Sequence, residues 1–445
     1  MGNRNKVVII GAGAAGLAAA RDLAVTGCQV TIIEARDRVG GRIHTQRRHS
    51  SIVPIELGAE FVHGKHPKLL EIIEAASSPL CDVTERHWYF ENGVLSKSHD
   101  FWNKLTALMD IMNPDQPDRS FSDFLDSLTD DEGTRRAKAV ATRYVEGFHA
   151  AYIDRLGVHG LIKANEAENQ INGNKPFRVL GGYDAVTQTL RAQAEESGAA
   201  VRLNTIVEEL HWSAGSVKAV CLCGGRAEQI EGSVAVITLP VGVLQAQVEE
   251  QGVVKFVPRF PEDKLAAIRG VQMGHAVRIT LRFRERFWEE LDVQGDNAGE
   301  DLSQLGFIHY PEAPIQTWWT LLPIRAALMV GWVGGPHADK FVASGKDYAL
   351  QQALTSLEQI LGVSERRLRG LMLDYYMHDW TADPFSRGAY AYLPVGGLEA
   401  QRNLALPLES TLFFAGEATS EGHIGTVHGA IESGQRAARE VLARF

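Results

Sequence analysis

The residues with the clearest chemistry lie near the start of the chain. Gly11-Ala12-Gly13-Ala14-Ala15-Gly16 follows the apolar run Val7 to Ile10 and opens an alanine- and leucine-rich stretch, Ala14 to Val25. Gly11 allows a tight turn, Gly13 lets the backbone approach a pyrophosphate, and Gly16 permits close packing of helix on strand. Ala14 and Ala15 stand at the start of that helix, whose N-terminal amides attract phosphate charge. Glu34 ends the next β-branched run, Gln29 to Glu34, 23 positions after Gly11. A carboxylate there can accept hydrogen bonds from both ribose hydroxyls of an adenosine, and it disfavours a 2′-phosphate. The spacing therefore predicts a strand, turn, helix and strand over residues 6–34 that hold a dinucleotide. A βαβ unit of purely structural use is the alternative.

The elements that must carry these residues need more than one core, because 445 residues exceed an ordinary single domain. Hydrophobic residues make up 45% and charged residues 22%, the composition of a globular chain. No apolar run reaches the roughly 18–20 residues that span a bilayer. The opening MGNRNK runs straight into VVIIGAG with no leader-like h-region, so a cytoplasmic location is the expectation. The last residues, Arg444 and Phe445, form no lipidation or retention signal. The net charge of −10 disfavours nucleic acid and would concentrate cationic substrates, although solubility alone accounts for it. Cys28, Cys81, Cys221 and Cys223 lack zinc-finger spacing and are expected to be reduced, with no metal bound.

Residues 66–175 show helical patterns and no strong strand signal; Pro67 suits a first helical position, and Ser120 or Ser122 suits an N-cap. Strand signals return in FRVLGGYDAVTQTL, AVRLNTIVEELHW, VKAVCLC and SVAVITLP, then at 276–283 and 327–334. Tyr348 to Leu361 reads as a helix, and TLFFAGE followed by GTVHGAIESGQRAAREVLARF as strand, loop and amphipathic helix. Nucleotide-type segments thus occur at both ends and in the middle. The expected fold class is α/β (α+β overall). Segments 1–75, 176–255 and 375–445 form one domain, interleaved with a mixed sheet-plus-helices substrate domain from 76–175 and 256–374.

Directly after Glu34 comes Ala35-Arg36-Asp37-Arg38-Val39-Gly40-Gly41-Arg42. This string resembles the signature of glutathione-reductase-like flavoproteins, specifically the flavin amine oxidase superfamily. There Gly40 and Gly41 give a second close backbone approach, and Arg42 places a cation near the pyrophosphate. Leu412-Phe413-Phe414-Ala415-Gly416-Glu417 resembles the family's second FAD strand, with Gly416 and Glu417 meeting the ribityl–phosphate part. Gly425-Thr426-Val427-His428-Gly429-Ala430 then begins the last helix, so Thr426 and Val427 would face the flavin pyrimidine ring. Val207 resembles the residue whose backbone contacts adenine. The resemblance spans most of the chain and implies a Rossmann-type FAD-binding domain.

Asp379-Trp380-Thr381-Ala382-Asp383-Pro384-Phe385-Ser386-Arg387-Gly388-Ala389-Tyr390 resembles a segment shared by polyamine oxidases and lysine-specific histone demethylases. GTVHGAIESG and TWWTLLPIRAALMVGWVGG point the same way. The resemblance implies that Trp380 packs by the isoalloxazine and that Tyr390 lines the substrate side. Gly388 stands where monoamine oxidases attach flavin to a cysteine, so non-covalent FAD is expected. Ala389 and Thr426 stand where those enzymes carry two framing tyrosines, which disfavours a monoamine oxidase. Ile55-Glu56-Leu57-Gly58-Ala59-Glu60-Phe61-Val62-His63-Gly64 resembles the ELGA…HG segment of animal polyamine oxidases. It places Gly58 and Ala59 by the cofactor, makes His63 a candidate amine contact, and lets Glu60 add an acceptor or negative charge; a loop-capping His63 and a solvated Glu60 are the alternatives. One departure concerns the family's lysine, water-bridged to flavin N5, ten residues before a tryptophan. Counting back from Trp288 gives Arg278, which keeps a charge but cannot readily deprotonate. Either it serves electrostatically or oxygen activation is altered; a surface arginine beside Thr280 and Arg282 is the third possibility.

The chemistry implied is oxidation of a small amine by hydride transfer from its α carbon to flavin N5. O2 then takes the electrons to give hydrogen peroxide, and the imine hydrolyses to an aldehyde. The chain starts at its dinucleotide motif and has no long heptad run, so small amines are expected in place of a histone tail. The partners expected are a small-molecule amine and O2, without nucleic acid or membrane. Rival readings are an L-amino-acid oxidase in which Arg278 or another arginine clamps the substrate carboxylate, a flavin-dependent desaturase or isomerase, and a non-catalytic FAD scaffold.

Overall fold

The computed structural model describes residues 6–48, 51, 53–91, 93–97, 101–293 and 300–445. Residues 1–5, where no leader was read, lie outside the described residues. Strand Lys6–Ile10 is the centre of a five-stranded parallel sheet whose order is Ala200–Arg202, Gln29–Ile33, Lys6–Ile10, Val234–Ile237 and Leu412–Phe414. These strands are apolar on both sides because both faces are covered. Val7 and Ile9 point to helices Ala14–Val25, Asp184–Glu196 and Val427–Arg444, and Val8 and Ile10 point the other way. That second face is covered by a four-stranded sheet built from Thr205–Ser213, Ser216–Cys223, Arg226–Gly232 and Lys255–Val257.

Gly16 shows why the first helix can lie so close to the sheet. A Cβ at this position would stand 2.0 Å from the Gly11 carbonyl oxygen, so only glycine fits. At Gly13 a Cβ would meet nothing within 4 Å, leaving open space at the helix N-terminus. No side chain caps that helix, so its first amides remain available to a ligand.

The second body is a seven-stranded mixed sheet in the order Met372–Met377, Ala276–Phe283, Leu328–Gly334, Thr317–Thr320, Phe307–His309, His87–Glu91 and Val94–Ser96. Ile279, Leu281 and Phe283 pack on helix Gly345–Leu361, and the alternate residue Arg278 faces the opposite way, into the space on the side of the five-stranded sheet. Helices Glu132–Phe148 and Val158–Ile171 close the remaining side. Pro67 does begin a helix, and Ser120 caps Phe121–Asp126 by accepting from Asp123 N. The helical reading of 66–175 needs correction, because Leu80–Asp82, His87–Glu91 and Val94–Ser96 are strands. HWYFE is rich in aromatic residues that suit a pleated surface, and its strand forms by parallel pairing with Phe307–His309, far along the chain. All four cysteines are free thiols. Among the described residues no helix is long and apolar enough to cross a membrane.

Candidate active site

A cavity of about 1220 Å³ opens at the carboxyl ends of the parallel strands and runs between the two bodies. Of the residues given a cofactor or substrate role in the sequence, all but Gly16 line it, and Gly16 sits behind the glycine turn. At the nucleotide end Glu34 is 4% exposed; its Oε2 accepts from Ala12 N at 2.9 Å and its Oε1 from Arg36 N at 3.0 Å. Each oxygen keeps a second lone pair for a ribose hydroxyl. Arg36 in turn donates to Asp383 Oδ1 at 2.7 Å and Ser386 Oγ at 2.9 Å, tying the two ends of the chain together. Arg42 and Glu417, expected to meet the phosphate region separately, are paired: Arg42 Nη1 donates to Glu417 Oε1 at 2.7 Å and to Ala389 O at 2.9 Å. Glu417 Oε2 also accepts from Gly425 N at 2.9 Å, fixing the turn before the last helix. With the open space at Gly13 and the uncapped helix, this end fits the pyrophosphate and ribose of a dinucleotide.

At the other end Arg278 is 5% exposed, so the surface-arginine alternative is wrong. Its Nη2 lies 2.6 Å from Glu60 Oε2, and its Nε donates to Glu56 O at 2.8 Å. Arg178 Nε donates to Glu60 Oε1 at 2.5 Å, and Trp319 Nε1 donates to Glu60 Oε2 at 3.2 Å. Glu60 is therefore no solvated carboxylate and no spare acceptor for an amine, since its charge is committed to two guanidiniums. Burial pushes its pKa up, but Arg278 and Arg178 outweigh this and hold it at about 2. His63 faces Phe61 and Phe148, and burial lowers its pKa to about 4, so it is neutral at pH 7. Tyr390 stacks on Trp332 with an interplanar angle of 8° and donates to Phe148 O at 2.6 Å. Trp380 donates from Nε1 to Leu57 O at 2.8 Å and is 5% exposed, wedged beside Gly58.

The whole of this arrangement falls inside one sequence match. Residues 14–442 match the family described as "Flavin containing amine oxidoreductase". The chain belongs to that family. As a flavin-containing amine oxidoreductase it is 28% identical to "Polyamine oxidase 3" of Oryza sativa subsp. japonica, covering 98% of this chain and 90% of that protein. It is 27% identical to "Lysine-specific histone demethylase 1 homolog 2" of Arabidopsis thaliana over 99% of its own length. It spans only 59% of that relative's length. Among solved structures, wild-type putrescine oxidase bound to putrescine matches with a TM-score of 0.79 at 21% identity, over 99% of each chain. Cyclohexylamine oxidase from Brevibacterium oxydans IH-35A matches at 0.78 and 20%, also over 99% of each chain. These two structures share the fold.

Sequence reasoning missed several residues that complete the oxidoreductase's cavity. Arg178 sits on Pro176–Val179, a strand that reads as ordinary, and nothing near it signals Glu60 as a partner. Trp332 and Trp319 lie in a stretch already noted for its resemblance, but only strand alternation turns them into the cavity. Tyr144, Phe148 and Glu168 come from the helical segment that carried no motif. Glu168 stands out chemically, because its ordinary carboxyl is buried enough to raise its pKa to about 7, with His423 opposing the rise.

Proposed function

We propose that the chain binds FAD non-covalently and oxidises small amines that carry a second cationic group, as diamines and polyamines do. The observation that carries this is Glu168. It is a cavity-lining carboxylate of the substrate half, largely removed from water, that has no arginine or lysine ion pair among the described residues, in contrast to Glu60. It lies near Tyr144, which in turn neighbours Tyr390, so the carboxylate and the aromatic wall share one space. An ammonium placed there gains a charge-assisted hydrogen bond. The printed names of relatives, polyamine oxidase and putrescine oxidase, agree with such a substrate. None of the four cysteines lines the cavity, which supports a non-covalent cofactor. Residues 1–75, 176–255 and 375–445 make the FAD-binding domain in this reading, and 76–175 with 256–374 the substrate domain.

FAD, when bound, supplies a hydride acceptor for the amine α carbon and passes the electrons to O2 as hydrogen peroxide. The chain's own residues orient and select. Trp332 and Tyr390 flank the space where the reacting carbon must lie and exclude water from it. His63 and His149, both lowered by burial to about 4, stay neutral and leave the reacting amine uncharged. No side chain is needed as a base, because the amine enters this neutral region as the free base. Arg278 is not free to clamp a substrate carboxylate, since Glu60 and the Glu56 carbonyl hold it, so an amino-acid oxidase would have to use another arginine.

The test is anaerobic mixing of the FAD-loaded protein with putrescine, spermine, phenylethylamine and phenylalanine, following bleaching of the oxidised flavin. Bleaching by putrescine or spermine, with peroxide on readmitting air, is the expected result. Bleaching by phenylalanine alone, or by none, would sink the reading. Glu168→Gln should raise KM for putrescine by about tenfold or more, the loss of a hydrogen bond to a charged group, with phenylethylamine unchanged. Glu168 binds its proton up to about pH 7 in the folded protein. The wild-type KM for putrescine should therefore fall as pH rises through about 7, and the variant should lose that limb.

A further inference from the structure

Beside the flavin-facing end of the last helix, four side chains converge that the amine chemistry does not use. His66 directly precedes helix Pro67–Ala75 and is 4% exposed. His423 lies in the turn before the last helix, and His428 and Glu432 lie one turn apart on that helix, on the same face. His66 Nε2 stands 2.8 Å from Glu432 Oε1, and His423 Nδ1 stands 2.9 Å from Glu432 Oε2. One ligand atom from each of His66, His423 and Glu432 lies within 4.8 Å of the others. His428 stacks on His66 with centroids 4.9 Å apart and meets His423 edge-on at 4.7 Å.

We propose that His66, His423 and Glu432 bind a divalent transition ion of the zinc class. Two imidazole nitrogens and a carboxylate oxygen are the donor set of tetrahedral zinc with one position left open. The two carboxylate–imidazole contacts aim His66 Nε2 and His423 Nδ1 at the same carboxylate. His66 Nδ1, His423 Nε2 and His428 Nε2 are buried with no hydrogen-bond partner among the described residues. The first two are the nitrogens opposite those offered to the ion, and they would carry the ring protons once it binds. The three rings pack against one another, with His66 and His423 edge-on at 5.4 Å. Neutral imidazoles are the form that coordinates metal. His423 and His428 line the large cavity, which provides the entry path and lets water take the fourth position.

On binding, the ion takes the lone pairs of His66 Nε2 and His423 Nδ1 and one oxygen of Glu432. The protons on those nitrogens move to the opposite ring nitrogens or leave to solvent, so affinity falls as the pH is lowered. The ion would tie the segment after His63 to the turn and helix that carry Thr426 and Val427. Its role is thus to hold the flavin-facing helix end in place, independently of which amine is oxidised.

The test uses tag-free, FAD-loaded protein equilibrated with Zn2+, dialysed, and analysed for metal and by X-ray absorption at the zinc edge. The expected result is one retained equivalent with a nitrogen and oxygen shell at about 2.0–2.1 Å and no sulfur. His423→Ala and Glu432→Gln should each weaken retention by about tenfold or more and abolish the zinc-induced rise in Tm. If the wild type retains no zinc, or both variants retain it unchanged, the proposal is overturned. If the variants fail to hold FAD, the wild-type absorption spectrum decides, and a shell containing sulfur or lacking imidazole overturns it.

Discussion

Glu60→Gln is expected to destabilise the FAD-loaded protein by about 3–5 kcal/mol, the cost of breaking a buried ion pair from one side. Glu60 is ion-paired with Arg178 Nε at 2.5 Å and with Arg278 Nη2 at 2.6 Å, and all three side chains are at least nine-tenths buried. Glutamine keeps the shape and loses the charge, leaving two guanidiniums facing each other away from water. Removing one cation as well, in the double variant Glu60→Gln with Arg278→Met, should recover part of the loss, because the surplus charge goes with it. Chemical denaturation of the three proteins measures this, and additive losses would show that the triad is not a unit. The same group predicts acid behaviour. Its pKa is held at about 2 in the folded chain, below the roughly 4.3 of a free glutamate. Its contribution is therefore fully present above pH ~4.3 and lost as the pH falls towards 2.

Gly16→Ala should raise the Kd for FAD by about a hundredfold, measured by titrating flavin-stripped protein with FAD and following fluorescence. The added methyl would lie 2.0 Å from the Gly11 carbonyl, a separation no real contact tolerates. Overpacking of this kind costs about 1–3 kcal/mol, and relief must come from moving the helix start or the glycine turn. Either movement shifts the amides that face the phosphate, so the loss appears in cofactor affinity. Gly13→Ala is the informative comparison, since its Cβ would meet no protein atom within 4 Å. Any loss there reports a clash with the ligand itself. Equal losses in fold stability for both variants, with FAD affinity kept, would refute this account of the turn.

The dinucleotide half was legible because its determinants are local. Gly11, Gly13, Gly16 and Glu34 act through turn geometry and one helix start, all within one strand–helix–strand unit; Gly11, Gly13 and Glu34 line the cavity and Gly16 packs against the turn behind it. The strand His87–Glu91 was missed for the opposite reason. Its pairing partner Phe307–His309 lies far along the chain, and burial of an aromatic face decides its conformation.

The sequence by itself determined the strand–turn–helix–strand unit at the start of the chain, the presence of flavin-family motifs at both ends, and the strand face that Arg278 shares with Thr280 and Arg282. Those follow from backbone sterics and side-chain periodicity, which act over a few residues. The tertiary structure alone decided what these side chains meet. Arg278 meets Glu60 across 218 positions of sequence, and Arg178 reaches the same carboxylate across 118. His66 meets Glu432 across 366. Charge pairing depends on distances of a few ångströms and on exclusion of water, and only the packing of the two bodies sets both.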